Sequence, residues 1–226
     1  MRRWPCAAAE PLANRVQDTS SPSHRKRRSM KLNQEILDLF DKGMRAAIAA
    51  SVPEPTAMTL ATADQLGQPS ARTVLLKGVD ESGFTFFTNL NSRKGRHLKG
   101  NAKAGLVFWW RETEQQVLVD GQVLAVGDAE ADAYFASRPR GSQIGAWASQ
   151  QSSPLDSRQE LIDRVAELEQ QYNDQTVPRP PHWSGFTLEP HRVEFWYGRE
   201  YRLHERICFE ADETAQAGWR KTLLFP

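Results

Sequence analysis

Residues 57 to 88 show the pattern that most restricts how this chain can fold, namely three short apolar segments separated by tight turns. The period of the apolar residues fits strands over 57–63, 71–79 and 84–88, and residues 64–67 and 80–83 have the composition of turns. Strands joined by so few residues pair antiparallel, because a parallel pair needs a crossover of about a dozen residues or more. We therefore predict an antiparallel meander at the start of a sheet.

The rest of the chain adds further strands and a few helices, without a regular alternation between the two. The predicted helices cover residues 33–50, 92–100, 128–137 and 157–172. The predicted strands cover residues 104–110, 115–126, 185–188, 192–197, 201–209 and 219–225. This order favours an α+β fold that is mainly β, with an antiparallel sheet closed into a barrel and helices at its periphery. A Rossmann sheet is disfavoured, and no glycine-rich phosphate loop is present, so side chains would have to hold any nucleotide.

The chain has 226 residues, of which 39% are hydrophobic and 25% charged, and this fits one mid-sized domain. Residues 1–30 hold seven Lys and Arg against two acidic residues, which predicts a disordered basic tail before a single domain over 31–226. That body keeps 22 basic against 26 acidic residues, so nucleic-acid binding is disfavoured. Without a bilayer-length apolar run we expect a soluble, cytoplasmic protein with no membrane partner. An organelle presequence in the tail, or an upstream start before Met30, remains an alternative.

The segment from Tyr134 to Pro154 has the composition of an anion site. Arg138, Arg140 and several Ser and Gln side chains supply donors, and no carboxylate occurs between Asp132 and Asp156. A polar surface loop is the alternative interpretation. The apolar residues interleaved with the polar ones indicate instead that the segment is packed.

Three further groups of basic residues could face anions or electron-rich rings. Arg72 and Lys77 end an apolar strand whose period of two points them to opposite faces. Ser92-Arg93-Lys94 at a predicted helix start would make a phosphate seat, and a solvated basic helix face is the alternative. The third group shares one face of the predicted strand 201–209 and consists of Arg202, His204 and Arg206. An exposed edge strand is the alternative interpretation of this third group.

The sequence contains no Gly-x-Ser-x-Gly elbow and no serine beside a His-carboxylate pair, so hydrolysis is disfavoured. The five histidines and two cysteines show no metal-ligand spacing, and no metal site is predicted. Five tryptophans could form the wall of a site for a planar ligand: Trp109, Trp110, Trp147, Trp183 and Trp196. Tryptophans are, however, more often simple core residues. Phosphate seats beside aromatic walls suit a phosphorylated planar cofactor that carries the redox chemistry.

Many short motifs occur in an order that is specific as a set. They are Pro69-Ser70-Ala71-Arg72, Val74-Leu75-Leu76-Lys77, Phe87-Thr88-Asn89, Ser92-Arg93-Lys94-Gly95, Gln116-Val117, Tyr134-Phe135 with Ser137-Arg138-Pro139, Ser142-Gln143-Ile144-Gly145-Ala146, Gln151-Ser152-Ser153, Glu194-Phe195-Trp196, and Arg202-Leu203-His204 with Arg206. Over about residues 39–219 the chain resembles the pyridoxine/pyridoxamine 5′-phosphate oxidase family on these motifs.

The resemblance implies a split β-barrel homodimer with two FMN sites at the subunit interface. It implies oxidation of pyridoxamine or pyridoxine 5′-phosphate to pyridoxal 5′-phosphate, by hydride transfer from the 4′ carbon to flavin N5, with O2 reduced to H2O2. The implied FMN contacts are Arg72, Thr73, Val74, Leu75, Leu76, Lys77, Phe87, Thr88, Arg93, Lys94, Gln116, Gln151, Ser152, Trp196 and Arg206. The implied substrate contacts are Lys77, Tyr134, Arg138, Ser142, Arg202, Leu203 and His204, with Arg202 and His204 as the catalytic pair. Arg140 is expected to be only solvated.

The chain departs from the family pattern at four places. No Arg-x-x-Tyr pair occurs in residues 1–35, Gln115 replaces a common arginine, Ser184 replaces a glycine, and residues 223–226 read Leu-Leu-Phe-Pro in place of Arg-Leu-x-Pro. Two other functions therefore stay open. One is a non-catalytic protein that binds FMN or pyridoxal phosphate, and the other is a split-barrel flavin reductase with a nicotinamide donor.

Overall fold

The computed structural model describes residues 30–215 and 217–226. The predicted basic tail, the presequence and the upstream start therefore concern residues that lie, apart from Met30, outside the described part of the chain. Within that part, the helices are α1 (Gln34–Ala49), α2 (Arg93–Gly100), α3 (Asp128–Ser137), α4 (Arg140–Ala148) and α5 (Arg158–Gln171). The strands are β1 (Ala57–Ala63), β2 (Pro69–Leu75), β3 (Gly78–Asp80), β4 (Gly83–Asn89), β5 (Lys103–Trp110), β6 (Gln115–Ala125), β7 (Trp183–Tyr197), β8 (Glu205–Ala211) and β9 (Trp219–Leu224). Short 3-10 helices lie at Arg111–Thr113 and Glu200–Arg202.

All nine strands belong to one antiparallel sheet, whose main path runs in the order β2-β1-β5-β6-β7-β4-β3. The 15-residue strand β7 pairs with β6 along one edge, while β4 takes the first half of its other edge and β8 the second half. The sheet thus divides at β7, and β8 and β9 branch away from the main path. The predicted antiparallel, barrel-like sheet with peripheral helices is confirmed. The predicted three-stranded meander is wrong, because its strands form two hairpins, β1-β2 and β3-β4, at opposite ends of the main path.

Helix α1 closes the main core against this sheet. The Asn33 side chain accepts a hydrogen bond from the Ile36 N–H at 2.9 Å, which is the predicted N-cap. Phe40, on the buried face of α1, meets the rings of Phe84 and Phe108 edge-on, with centroids 5.2 Å away in each case. A Cβ added to Gly43 would lie 2.7 Å from the Trp110 ring, so the close approach of helix and sheet requires glycine here.

A second, smaller core lies under α3, α4 and α5. Its buried residues are Phe135, Ile144, Val177 and Trp183. The expectation that the segment 134–154 is packed is confirmed, although the sequence did not predict its central helix α4.

Arg140 was expected to be only solvated, and this is wrong. Its guanidinium donates to the carbonyls of Tyr172 (2.8 Å) and Gln175 (3.0 Å) and pairs with Glu169. It ties α4 to the end of α5.

Three predicted strand boundaries are wrong. The segment 71–79 breaks after Leu75, and the segments 185–188 and 192–197 form the single strand β7. The segment 201–209 begins as a strand only at Glu205, since Tyr201 (φ 55°) and Arg202 (φ 63°) adopt left-handed backbone in a turn. In the described residues, no helix has the length and apolarity needed to cross a membrane.

Candidate active site

A cavity of about 450 Å³ opens where the end of β2, strand β4 and helices α2, α3 and α4 meet the start of β7. The predicted site residues that line it are Thr73, Val74, Leu75, Lys77, Phe87, Thr88, Lys94, Tyr134, Arg138, Ser142 and Gln151. Lining residues that were not among the predicted contacts are Asn89, Gly145, Ala146, Ser149 and Trp183. Asn89, Gly145 and Ala146 belong to the motifs quoted above, and Trp183 is one of the tryptophans named as a possible wall, so the sequence contained a signal for four of the five. The predicted substrate-phosphate residues thus line one cavity together with Lys94, whereas Arg72, Arg93 and Ser152 are not among its lining residues.

The break after β2 delivers Lys77 to this cavity. The Leu76 N–H donates to the Thr56 carbonyl at 2.9 Å and the Lys77 N–H to the Thr85 carbonyl at 2.8 Å, so the chain leaves the β1 edge. Leu76 itself turns into the main core, away from the predicted flavin contact. Lys77 lines the cavity and Arg72 does not. Because β2 ends at Leu75, strand alternation does not relate the two cations, and their predicted opposite orientation stays a prediction.

An aromatic wall forms one side of the cavity. Phe87 stacks on Tyr134 with centroids 4.1 Å apart, and on Trp183 at 5.3 Å with the planes only 9° apart. The Arg138 guanidinium carbon lies 4.8 Å from the centroid of the Trp183 ring. Arg138 Nη1 is buried and has no hydrogen-bond partner among the residues described, and burial lowers the pKa of this guanidinium. A half-buried guanidinium that lies against a ring and whose buried Nη1 lacks a partner can receive an anion.

A second group of cations surrounds the start of α2. Ser92 caps this helix by accepting from the Gly95 N–H, and Lys94 donates to Gln151 at 2.7 Å. Burial and the nearby Arg93 lower the pKa of Arg72, while burial and Arg72 lower the pKa of Lys94. None of the ion pairs within residues 30–215 and 217–226 includes any of these three cations. Uncompensated like charges beside free helix N–H groups favour a bound phosphate.

Three of the predicted flavin contacts, Gln116, Trp196 and Arg206, lie on a different surface. Trp109, Gln116, Trp196 and Arg206 face one another directly across β5, β6, β7 and β8. Residues directly opposite in antiparallel strands point to the same side of the sheet, so these four form one cross-strand row. The row includes a small recess lined by Trp109, Gln116 and Trp196, which shares no lining residue with the cavity.

The buried side chain of Glu194 holds Arg206, one member of this row, in place. Its side chain is 2% exposed and accepts from Arg206 Nε at 2.7 Å, from Arg206 Nη2 at 3.1 Å and from Arg192. Burial alone would raise the pKa of the Glu194 carboxyl, but the hydrogen bonds and charges of Arg206 and Arg192 outweigh it and hold that pKa below its usual range. The sequence reasoning missed Glu194 as a site residue, although it belongs to a quoted motif.

The predicted catalytic pair lies beside the row. The His204 ring packs on Trp196 with centroids 4.5 Å apart, and its Nδ1 accepts from the Arg199 N–H at 3.2 Å. Arg202 lies in the preceding turn and Leu203 is 70% exposed. The prediction that Arg202, His204 and Arg206 share one face of a strand is wrong, because β8 begins only at Glu205.

Comparison with solved structures assigns the architecture. PhzG from Burkholderia lata 383, solved in complex with tetrahydrophenazine-1-carboxylic acid, matches with a TM-score of 0.80 and 34% identity, over 92% of this chain and 98% of that one. A pyridoxamine 5′-phosphate oxidase-related, FMN binding protein from Nostoc punctiforme matches with a TM-score of 0.67 and 15% identity, over 87% and 100% of the two chains. The fold is therefore that of the split-barrel class, as predicted.

Comparison with family models and with named relatives identifies the family within the split-barrel class. A model described as pyridoxamine 5′-phosphate oxidase matches residues 44–172, and one described as the pyridoxine 5′-phosphate oxidase C-terminal dimerisation region matches residues 183–226. Relatives named pyridoxine/pyridoxamine 5′-phosphate oxidase are 55% identical in Synechocystis sp. (83% of this chain, 86% of the relative) and 51% identical in Rubrobacter xylanophilus (83% and 85%). The chain belongs to the pyridoxamine 5′-phosphate oxidase family and is an oxidoreductase of this type. Its predicted family and enzyme class are confirmed.

Proposed function

We propose that this protein is an FMN-dependent oxidase that converts pyridoxamine or pyridoxine 5′-phosphate to pyridoxal 5′-phosphate, with O2 reduced to H2O2. The amine substrate also consumes water and releases ammonia, whereas the alcohol substrate does not. The observation that carries the proposal is the cavity, whose cations Lys77, Lys94 and Arg138 pair with no carboxylate among the described residues and lie beside an aromatic wall. Phosphorylated planar molecules offer the matching charge and shape.

The residues present fit FMN. Arg72, Arg93 and Lys94 would hold its phosphate, because they are concentrated without a carboxylate partner around the start of α2. When bound, FMN supplies a two-electron acceptor that O2 can reoxidise. The protein's own contribution is then to bind, orient and shield the reacting rings.

The substrate phosphate would lie against Lys77, Tyr134, Arg138 and Ser142, which line the same cavity. Arg138 is the strongest candidate among them, because its buried Nη1 has no partner within the described residues and a phosphate oxygen would satisfy it. Its contact with the Trp183 ring helps to hold the guanidinium in position before any ligand arrives.

The cross-strand row would complete the site from a second subunit. Gln116, Trp196 and Arg206 share no lining position with the cavity of their own chain, yet the resemblance assigns both groups to one cofactor. The segment 183–226, which contains Trp196 and Arg206, matches a dimerisation region. We therefore assign a homodimer in which residues 31–226 form one FMN-binding domain and each site combines one chain's cavity with its partner's row.

In this arrangement Arg202 and His204 would reach the substrate from the row side. His204 Nδ1 accepts the Arg199 N–H, so a neutral ring carries its proton on Nε2. His204 would thus offer a hydrogen-bond donor at Nε2 to the substrate, and Arg202 a fixed positive charge.

A second candidate substrate comes from the likeness to PhzG, which was solved with a reduced phenazine carboxylic acid. A carboxylated tricycle would also meet the cations and the aromatic wall. The relatives that are 55% and 51% identical both bear the pyridoxine/pyridoxamine name, and this favours the phosphorylated substrate.

The test is an absorbance spectrum of the purified protein before and after anaerobic addition of pyridoxamine 5′-phosphate, followed by peroxide measurement in air. We expect a flavin spectrum that bleaches with substrate and peroxide equal to the aldehyde formed. A flavin-loaded protein without turnover would support the non-catalytic binder, and faster bleaching by NADPH would support the reductase. Bleaching by a dihydro- or tetrahydrophenazine carboxylic acid alone would favour the second substrate.

A further inference from the structure

Arg72, Arg93 and Lys94, which we propose to hold the FMN phosphate, are called here the flavin-phosphate seat. Thr62 on β1 connects Arg72 to the helix α2 that carries the other two. Its side chain is 4% exposed, and its hydroxyl accepts from Arg72 Nη1 at 2.8 Å. The same hydroxyl lies 3.2 Å from Nδ1 of His97 on α2, which is itself 8% exposed. No predicted or proposed role has so far used either Thr62 or His97.

The contacts of Arg72 restrict which of its donors can reach a ligand. Nη1 donates both to Thr62 Oγ1 and to the Leu60 carbonyl at 3.0 Å, so β1 uses both of its hydrogens. Nε and Nη2, with three further N–H groups, have no hydrogen-bond partner in the described part of the chain. The side of the guanidinium that faces β1 is therefore fixed, and the other side is free to bind an anion.

The donors and acceptors around Thr62 also determine the orientation of its hydroxyl. Arginine can only donate, so the bond to Arg72 uses an oxygen lone pair of Thr62. If Thr62 also accepted from His97 Nδ1, its buried hydroxyl hydrogen would lack an acceptor among the described residues. Donation from the hydroxyl to His97 Nδ1 satisfies both groups and places the ring proton of a neutral His97 on Nε2. His97 lies one helical turn after Arg93, so this chain of bonds links Arg72 on β2 to the helix that begins with the other two cations.

The charges of the seat explain why such a link is needed. Arg72, Arg93 and Lys94 repel one another and lack a carboxylate partner among the described residues. A free Arg72 side chain would turn away from the other two toward solvent, which would disperse the seat. Two hydrogen bonds to neutral acceptors on β1 hold it in place without cancelling its charge.

We infer that Thr62 is a positioning residue for cofactor binding, whose hydroxyl, oriented by His97, holds Arg72 toward the FMN phosphate beside Arg93 and Lys94. The inference rests on the proposed function, since it requires FMN as the ligand. It predicts a defect specific to the phosphate and not to the flavin ring.

The test compares FMN with riboflavin, which lacks the phosphate, by fluorescence titration of the full-length dimer freed of flavin. Thr62→Val keeps the shape of the side chain and removes the hydroxyl. We expect its Kd for FMN to rise about tenfold, as for loss of a bond to a charged group, with the Kd for riboflavin unchanged. Thr62→Ser retains the hydroxyl and should restore most of the FMN affinity. Thr187→Val, which removes a hydroxyl bonded to Thr85 outside the cavity, is the matched control and should change neither Kd.

The outcomes separate this inference from the proposed function. If wild type binds FMN far more tightly than riboflavin and Thr62→Val keeps that ratio, the inference falls and the proposed function stands. If wild type binds neither flavin, or binds both equally, the proposed phosphate seat falls and the inference with it. An equal loss of both flavins in Thr62→Val would show a general structural role and would also overturn the inference.

The role of His97 has its own test. His97→Leu should lower the preference for FMN over riboflavin, and His97→Asn, which retains an acceptor, should keep it. An unchanged preference in His97→Leu would overturn the role of His97.

Discussion

The Arg206 guanidinium and the Glu194 carboxylate form a two-point ion pair in the interior of the sheet, with Nε to Oε1 at 2.7 Å and Nη2 to Oε2 at 3.1 Å. A side-on pair of this kind fixes the plane of the guanidinium as well as its position. Arg192 shares the same carboxylate and also lies 3.4 Å from Asp120, so the buried anion compensates Arg206 and part of the charge of Arg192. This arrangement holds the cross-strand row that we assign to the partner's flavin site.

Glu194→Gln should lower the free energy of unfolding by about 3 kcal/mol at neutral pH, because two arginines lose the charge that compensates them in a buried setting. Urea denaturation of wild type and variant would measure this difference. Glu210→Gln is a matched control on the next strand, where Glu210 pairs with Arg220 at an exposed position. That variant should change the free energy by less than about 1 kcal/mol. Equal effects of the two substitutions would contradict the structural weight given to Glu194.

The same pair predicts how stability depends on acidity. The pKa of Glu194 in the folded protein lies below 4.5, its ordinary value, so the unfolded chain takes up the proton first as the pH falls. The stabilisation is therefore complete above this ordinary value and is lost as the pH falls through the lowered pKa. The stability gap between wild type and Glu194→Gln should stay constant from about pH 8 to about pH 5 and shrink in more acid solution. A gap that widened in acid would refute the assignment of the charge.

The repeating patterns in the sequence suffice to predict most of the fold. Buried positions four and three apart in α1, and the alternation of Met58, Leu60 and Thr62 in β1, reflect local geometry that any sequence window reveals. The unpredicted α4 lacks such signals, because its N-cap is Pro139 without a side-chain bond and two glycines weaken its propensity. It is stabilised by the small core of Ile144 and Trp183 instead.

The candidate site shows a similar division. Short motifs located Lys77, Arg138 and the start of α2, but their grouping into one cavity depends on the break after Leu75, which is set by contacts with distant Thr56 and Thr85. The cross-strand row depends on strand register, and the register of β6 against β7 shifts at a bulge between Asp120 and Gly121. Such long-range relationships leave no periodic trace in the sequence.

Arg138→Ala should raise the KM for pyridoxamine 5′-phosphate at least about tenfold, since one charge-assisted contact to a phosphate is lost. Its affinity for FMN should change less than about threefold, because other cations are assigned to the cofactor phosphate. Arg202→Ala, which alters contact with the pyridine ring, should likewise impair substrate use more than FMN retention. Arg140→Ala, two residues from Arg138 but bonded to the end of α5, is the control for KM. Equal loss of FMN in Arg138→Ala and Arg202→Ala would contradict the assigned substrate roles.

The division of the site between the cavity and the row gives the sharpest test of the dimer. A chain with Arg138→Ala carries a damaged cavity and an intact row, and a chain with Trp196→Ala carries the reverse. If each site combines the cavity of one chain with the row of its partner, a mixed dimer contains one site with both substitutions and one with neither. Unfolding and refolding the two chains together at equal amounts should then restore about a quarter of the wild-type sites, because random pairing makes half of the dimers mixed. Activity per chain would be measured, with each variant refolded alone as the baseline. If cavity and row served the same chain's site, every site in a mixed dimer would carry one substitution, and mixing would restore nothing.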